Sequence, residues 1–194
     1  TMIEGMDKSL GDMLDHIEKL GVAEDTIVFF LGDNGSDAPL GPTHAIACAA
    51  PLRGKKGTHY EGGMRVPFIA AWARPDRSNP LQKALPIPAG VLSSEKGTIC
   101  DLFPTILNLA GITHKGKIDG GDLAKALTGS ESGRDFSFLM HFPHSHRSSY
   151  FTAYHEGEWK LVYHYNRPPE TRYELFNLAK DRSESKNLSG GEPG

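Results

Sequence analysis

Met2, Ile3, Met6, Leu10, Met13, Leu14, Ile17 and Leu20 recur at spacings of three and four. That period predicts a helix over residues 2–20 with one apolar face. Gly21 follows directly and suits the position just past a helix end. After Ala23-Glu24-Asp25 comes an apolar run rich in β-branched and aromatic residues, 26–32. Such a run predicts a strand buried on both faces, as in the centre of a parallel sheet. Residues 66–73 repeat the pattern and predict a second buried strand. Between the runs, residues 33–66 are rich in glycine, proline and charge and show no period. A loop of that length inside a compact domain is usually functional. Residues 74–90 form a proline-rich excursion, 90–93 a short strand, 100–111 a helix stopped by Gly111, and 122–127 a short helix.

From about residue 135 the period shortens to two. FSFLMHF, YFTAYHEG, EWKLVYHY and YELFNL are short, with turn signals such as Glu-Gly between them. They predict an antiparallel sheet. The expected fold class is α/β: a partial parallel or mixed sheet with helices over residues 1–130, then a small antiparallel α+β subdomain over 131–194.

Composition narrows the partners. A formal net charge of -3 gives no reason to expect nucleic acid or an anionic membrane. An anionic substrate would need a local cluster of cations. No apolar run reaches the roughly 20 residues that cross a bilayer. The first ten residues lack signal-peptide design and read as the middle of an amphipathic helix rather than the start of a protein. Cys48 and Cys100 have no metal-knuckle spacing and are expected to be unpaired and partly buried.

Two segments carry chemistry. Asp33-Asn34-Gly35 lies directly after the first buried strand, where open α/β sheets bind ligands. A carboxylate beside an amide oxygen suits a hard cation such as calcium; the same tripeptide is also a good turn. The second segment is Leu52-Arg53-Gly54-Lys55-Lys56-Gly57-Thr58-His59-Tyr60-Glu61-Gly62-Gly63-Met64-Arg65-Val66-Pro67. Its glycines let backbone approach a ligand closely, and its lysines neutralise an oxyanion. A solvated basic loop is the plain alternative, yet it needs no glycines around Lys56 and Glu61.

The two motifs together resemble the sulfatase family of the alkaline-phosphatase-like superfamily. Asp101-Leu102-Phe103-Pro104-Thr105-Ile106-Leu107 resembles its D-x-x-P-T-L-L helix. Ile118-Asp119-Gly120 with Leu127-Thr128-Gly129 resembles its I-D-G…L-x-G stretch. Trp159-Lys160-Leu161, and Glu174-Leu175-Phe176-Asn177-Leu178 with Asp181, Glu184, Asn187 and Leu188, resemble its C-terminal motifs. The resemblance implies a sulfuric ester hydrolase acting on an aryl or sugar sulfate. It implies Asp33 and Asn34 as ligands of a divalent metal, usually calcium, and Lys56 as the group that contacts the sulfate and helps the leaving oxygen. Lys55 and His59 adjoin Lys56 as further substrate contacts. Arg53, Glu61 and Arg65 hold the loop in shape. A periplasmic or secreted location comes with the family.

The family's nucleophile is a formylglycine made within a C/S-x-P-x-R motif. Cys48-Ala49-Ala50-Pro51-Leu52-Arg53 has its proline one place too late, and Cys100 has none. The expectation is therefore a C-terminal portion whose partner is the N-terminal half of the same polypeptide. By itself the chain is expected to hold no calcium, because two oxygens are too few, and to be inactive. Three other readings remain: a phosphoester or phosphonate hydrolase of the same superfamily, a non-catalytic module for anionic glycans, and a structural domain whose loop resembles the motif by chance. His141-Phe142-Pro143-His144-Ser145-His146 suggests a zinc ligand set, a substrate-cleft rim in which His141, His144 or Arg147 would select the substrate, or a plain exposed loop.

Overall fold

The computed structural model describes residues 1–37, 49–145 and 149–190. They form two compact units, one of residues 1–30 with 68–133, the other of 31–67 with 134–194.

In the first unit, helix α1 (Met2–Lys19) starts on Thr1, whose hydroxyl accepts from the Glu4 N–H while Glu4 reaches back to the chain start. The apolar face lies where the period puts it but stays exposed: Met2 is 93% and Ile3 73% accessible. Strands β1 (Ile27–Leu31) and β2 (Phe68–Trp72) form a two-stranded sheet. The Ala73 N–H donates to the Thr26 carbonyl at 2.8 Å, while the Phe29 ring stacks on Phe68 with centroids 5.9 Å apart. The start of one strand thus lies beside the end of the other, so the pair is antiparallel. That corrects the expected parallel pairing. Burial on both faces is also corrected, for β1 is half-buried and in β2 only Trp72 is buried. An apolar run says which residues avoid water, not which way the neighbouring strand runs.

The excursion after β2 contains helix α3 (Pro80–Ala84), capped by Asn79 Oδ1 on the Leu81 N–H and opened by a proline at the first helical position. Residues 90–93 are not a strand. A 3-10 turn, Ile99–Asp101, leads into α4 (Leu102–Leu109), and Gly111 ends it at φ +67. Asp101 is buried and accepts from the Thr98 and Gly121 N–H groups, each at 2.6 Å. Thr105 donates to the Asp101 carbonyl and accepts from the Leu123 N–H. These bonds tie the α4 motif to the Asp119-Gly120 stretch and to α5 (Ala124–Leu127). Cys100 is free and exposed rather than partly buried; Cys48 lies outside the described residues.

The second unit contains the predicted antiparallel sheet: β3 (Ser137–Phe142), β4 (Phe151–Glu156), β5 (Trp159–His164) and β6 (Tyr173–Asn177), in that order. Glu156 pairs with Trp159 across a two-residue turn in which Gly157 takes φ +54. Phe151, Ala153, Val162 and Phe176 face inward and pack with Tyr60 and Leu178 into the core. The inward face also carries Lys160, His164 and Glu174, all buried. Among the described residues no helix is long and apolar enough to cross a membrane.

Candidate active-site loop

Every residue of the candidate site that is described belongs to the second unit. The Gly35 N–H donates to the Gly63 carbonyl at 3.0 Å, and the Lys56 N–H donates to the Ser36 carbonyl at 3.0 Å. The Asp-Asn-Gly turn and the basic loop are therefore joined backbone to backbone at two points. The contact requires glycine at position 35: a Cβ there would overlap the Gly62 carbonyl oxygen and lie 2.7 Å from Gly63 Cα. Lys56 sits in a short turn clasped by Thr58. The Thr58 hydroxyl donates to the Lys55 carbonyl at 2.8 Å, and the Thr58 N–H reaches the same carbonyl at 3.0 Å. Gly54 and Gly57, both at φ +84, let the chain reverse on either side.

Asp33 is exposed and Asn34 half-buried. The Asn34 amide nitrogen donates to the Gly35 carbonyl at 3.1 Å, which leaves its oxygen as the atom for a cation. A carboxylate and an amide oxygen are hard donors of the kind calcium takes, two of its roughly six to eight. Lys55 and Lys56 are half-buried. His59 is different: it is 2% exposed, and its ring packs against Tyr60, Phe151 and His164. A place beside Lys56 in the chain has not put it on the surface.

Below the loop lies an ion cluster. Lys160 of β5 is fully buried, with its Nζ 3.1 Å from Glu61 Oε1 and 2.7 Å from Glu184 Oε1. The other Glu184 oxygen accepts from the Glu61 N–H at 2.6 Å. Arg53 donates to the Glu184 carbonyl at 2.9 Å, and Arg65 Nε lies 3.2 Å from Glu61. Glu61 opens the short helix α2 (Glu61–Met64), so the cluster fixes the far end of the basic loop to the sheet. Glu184 adopts φ +50, a left-handed conformation rare for a residue with a side chain. Burial pushes its carboxyl up, and Lys160 opposes that rise.

A second cluster centres on Glu174. His164 Nε2 is 2.6 Å and His59 Nε2 3.7 Å from Glu174 Oε2, and the Tyr60 hydroxyl donates to both carboxylate oxygens. Arg53 and Arg167 approach at 3.8 and 3.6 Å. Burial raises the Glu174 carboxyl, but the bonds from His164, His59 and Tyr60 outweigh it and hold the group well below the carboxylate range. Burial pushes His59 down, against the pull of Glu174. The two shifts act in the same direction on stability. Below the ordinary His59 value of 6.5 the unfolded chain takes up a proton that the folded chain refuses, and below the ordinary Glu174 value of 4.5 it takes up another. The expected outcome in metal-free buffer is a denaturation midpoint that falls as pH drops below about 6.5 and falls further below about 4.5. His59→Gln should remove the first decline and keep the second. A flat midpoint between pH 7.5 and 5.0 would contradict this.

His141 is exposed, its Nδ1 2.8 Å from the Thr152 hydroxyl, which also bonds Tyr165. His144 is exposed against the Phe142 ring. His146 and Arg147 lie outside the described residues. Two described histidines, His59 and His164, instead share a single carboxylate, Glu174. By sequence, Lys160, Glu174 and Glu184 stand out only as positions of a motif, and no motif marks His164.

A sequence model of the sulfatase family matches residues 1–112. The chain is 32% identical to mouse (Mus musculus) steryl-sulfatase over 168 residues, 83% of this chain and 25% of the relative. It is 39% identical to N-acetylgalactosamine-6-sulfatase of the dog (Canis lupus familiaris) over 131 residues, 66% of this chain and 23% of the relative. The crystal structure of Ps i-CgsB in complex with k-i-k-neocarrahexaose matches 97% of this chain with 38% of its own, at a TM-score of 0.72 and 26% identity. The chain thus spans about a quarter of the length of the two named relatives. With a family match over more than half its residues, on a loop-and-turn geometry that puts both motifs in one place, the chain belongs to the sulfatase family.

Proposed function

We propose that this chain contributes the metal-turn and lysine walls of a sulfate ester hydrolase, with a sulfated sugar as substrate. Asp33 and Asn34 would hold a divalent cation, calcium by the chemistry of their donors. Bound there, that cation would supply positive charge to the sulfate oxygens. Lys56 would place its ammonium at a sulfate oxygen, neutralise charge that grows as the ester bond breaks, and assist the departing alkoxide. The Thr58 clasp and the Lys56–Ser36 bond keep the ammonium's base in register with Asp33. Lys55, His141 and His144 would contact the remainder of the sugar. Formylglycine chemistry is the mechanism the family reading carries, and this chain's share of it is binding and charge neutralisation. The observation that supports the reading most is the pair of backbone bonds, Gly35 to Gly63 and Lys56 to Ser36. A sulfated glycan is favoured over a small aryl sulfate by the likeness to a structure bound to neocarrahexaose.

The test is calcium-dependent hydrolysis of an aryl sulfate and a sulfated oligosaccharide by the polypeptide that carries these residues, with an aryl phosphate as comparison. Lys56→Ala is expected to lower kcat/KM for sulfate by about 10²-fold, the typical effect of removing one charge-stabilising donor. Preference for the phosphate ester, or turnover unaffected by Lys56→Ala, would overturn the assignment.

A further inference from the structure

The Glu174 cluster does more than an ion pair needs. Two histidines from different parts of the chain, the 49–60 segment and β5, direct the same ring atom, Nε2, at a single carboxylate oxygen. We propose that His59, His164 and Glu174 form a buried site for a transition-metal dication of the zinc class. Each offers one ligand atom, and the three atoms lie within 4.8 Å of one another. Exposure is 2% for His59, 0% for His164 and 8% for Glu174.

Distances bracket what a metal requires. Ligand atoms around tetrahedral zinc, with bonds of about 2.0–2.1 Å, sit roughly 3.3 Å apart. Here the two nitrogens lie 2.6 and 3.7 Å from Glu174 Oε2, so side-chain shifts of about an ångström would open the coordination shell. The donor set of two imidazoles and a carboxylate suits zinc and its neighbours; calcium takes oxygen. His164 Nδ1 lies 3.4 Å from the Ser149 hydroxyl, an outer partner that aims Nε2 inward. The Tyr60 hydroxyl donates to Glu174 Oε2 at 2.9 Å and can give way to water or serve as a further ligand.

Arg53 and Arg167 oppose the ion, since both lie within 4 Å of the Glu174 carboxylate. Their side chains are 41% and 35% exposed, so both can swing toward solvent as the dication enters. The site shares no residue with Asp33 and Asn34, and its outcome is independent of the sulfatase reading.

The experiment uses the 194-residue chain freed of metal by chelator dialysis. Zinc is titrated against a chromophoric chelator, and cobalt serves as a visible-absorption probe of tetrahedral geometry. The expected result is one zinc per chain at micromolar affinity or tighter, with a tetrahedral cobalt spectrum. His164→Gln keeps an amide that can still donate to Glu174, so it should stay folded by circular dichroism yet bind at least about tenfold more weakly. His59→Ala should do the same, while the His141→Ala/His144→Ala double variant should bind as the parent does. Absence of stoichiometric uptake by the parent chain, or uptake that His164→Gln and His59→Ala leave unchanged, would overturn the site.

Discussion

Lys160→Met is expected to destabilise the chain by about 3–5 kcal/mol, the usual cost of removing one partner from a buried charge pair. Lys160 is fully buried with two carboxylates on its ammonium, Glu61 at 3.1 Å and Glu184 at 2.7 Å. Methionine fills most of the volume, so cavity formation contributes little and the loss comes from the stranded charges. Arg65, at 3.2 Å from Glu61, is itself 42% exposed and cannot replace a buried ammonium. Glu184 would then rise further toward protonation, since Lys160 is what opposes the rise caused by its burial. Urea denaturation at pH 7 measures the loss. Adding Glu61→Gln and Glu184→Gln to Lys160→Met should recover part of it, because those changes remove the uncompensated charges. A single-variant loss under about 1 kcal/mol would mean that water reaches the cluster.

The same cluster shows where sequence reading succeeds and where it stops. The helix at residues 2–20 and the strands from 135 onward were legible because a period of 3.6 or 2 is set by one face meeting water. Helix α1 and the four strands lie where those periods put them. Pairing direction was not legible from the apolar runs around 26–32 and 66–73, because direction depends on how the long loop between them returns the chain. Helix α2 escaped because its sequence, EGGM, has no apolar period; its two glycines serve contact with the loop rather than a helix face. Lys160 carries one further signal in the sequence. In EWKLVYHY it shares its face with Val162 and His164, and a lysine on the face of a buried valine predicts a buried carboxylate partner. Which carboxylates those are, 99 positions upstream and 24 downstream, no local pattern could say. The candidate site divides in the same way. Asp33, Asn34 and Lys56 stood out by motif, whereas the inward turn of His59 depends on Phe151 and Glu174, which only folding brings near.

Gly35→Ala should damage both stability and activity, because the contact it breaks is backbone against backbone. The new Cβ would overlap the Gly62 carbonyl oxygen and lie 2.8 Å from the Gly62 carbonyl carbon. Neither belongs to a side chain that can rotate away, so the Asp-Asn-Gly turn and the glycine helix must separate by about an ångström. Overpacking of that kind costs about 1–3 kcal/mol; the upper end is expected here, since Gly62 and Gly63 are themselves wedged against Arg53, Lys55 and Thr58 carbonyls. Separation breaks the Gly35–Gly63 bond and strains the Lys56–Ser36 bond, both 3.0 Å long. Asp33 and Lys56 then lose their fixed spacing. A misplacement of about 1 Å is worth about 10²-fold in rate, and here it would fall on the proposed metal ligands, Asp33 and Asn34, and on Lys56 together. Under the proposed function, the polypeptide that carries these residues is expected to lose more than about 10²-fold in sulfate ester turnover, with a raised divalent-metal requirement, while circular dichroism still shows it folded. Gly5→Ala is the control, for nothing lies within 4 Å of a Cβ at that position, and it should leave turnover unchanged and raise the stability of α1 slightly. Parental turnover and calcium dependence in Gly35→Ala would show that the turn and the lysine loop do not work as one unit.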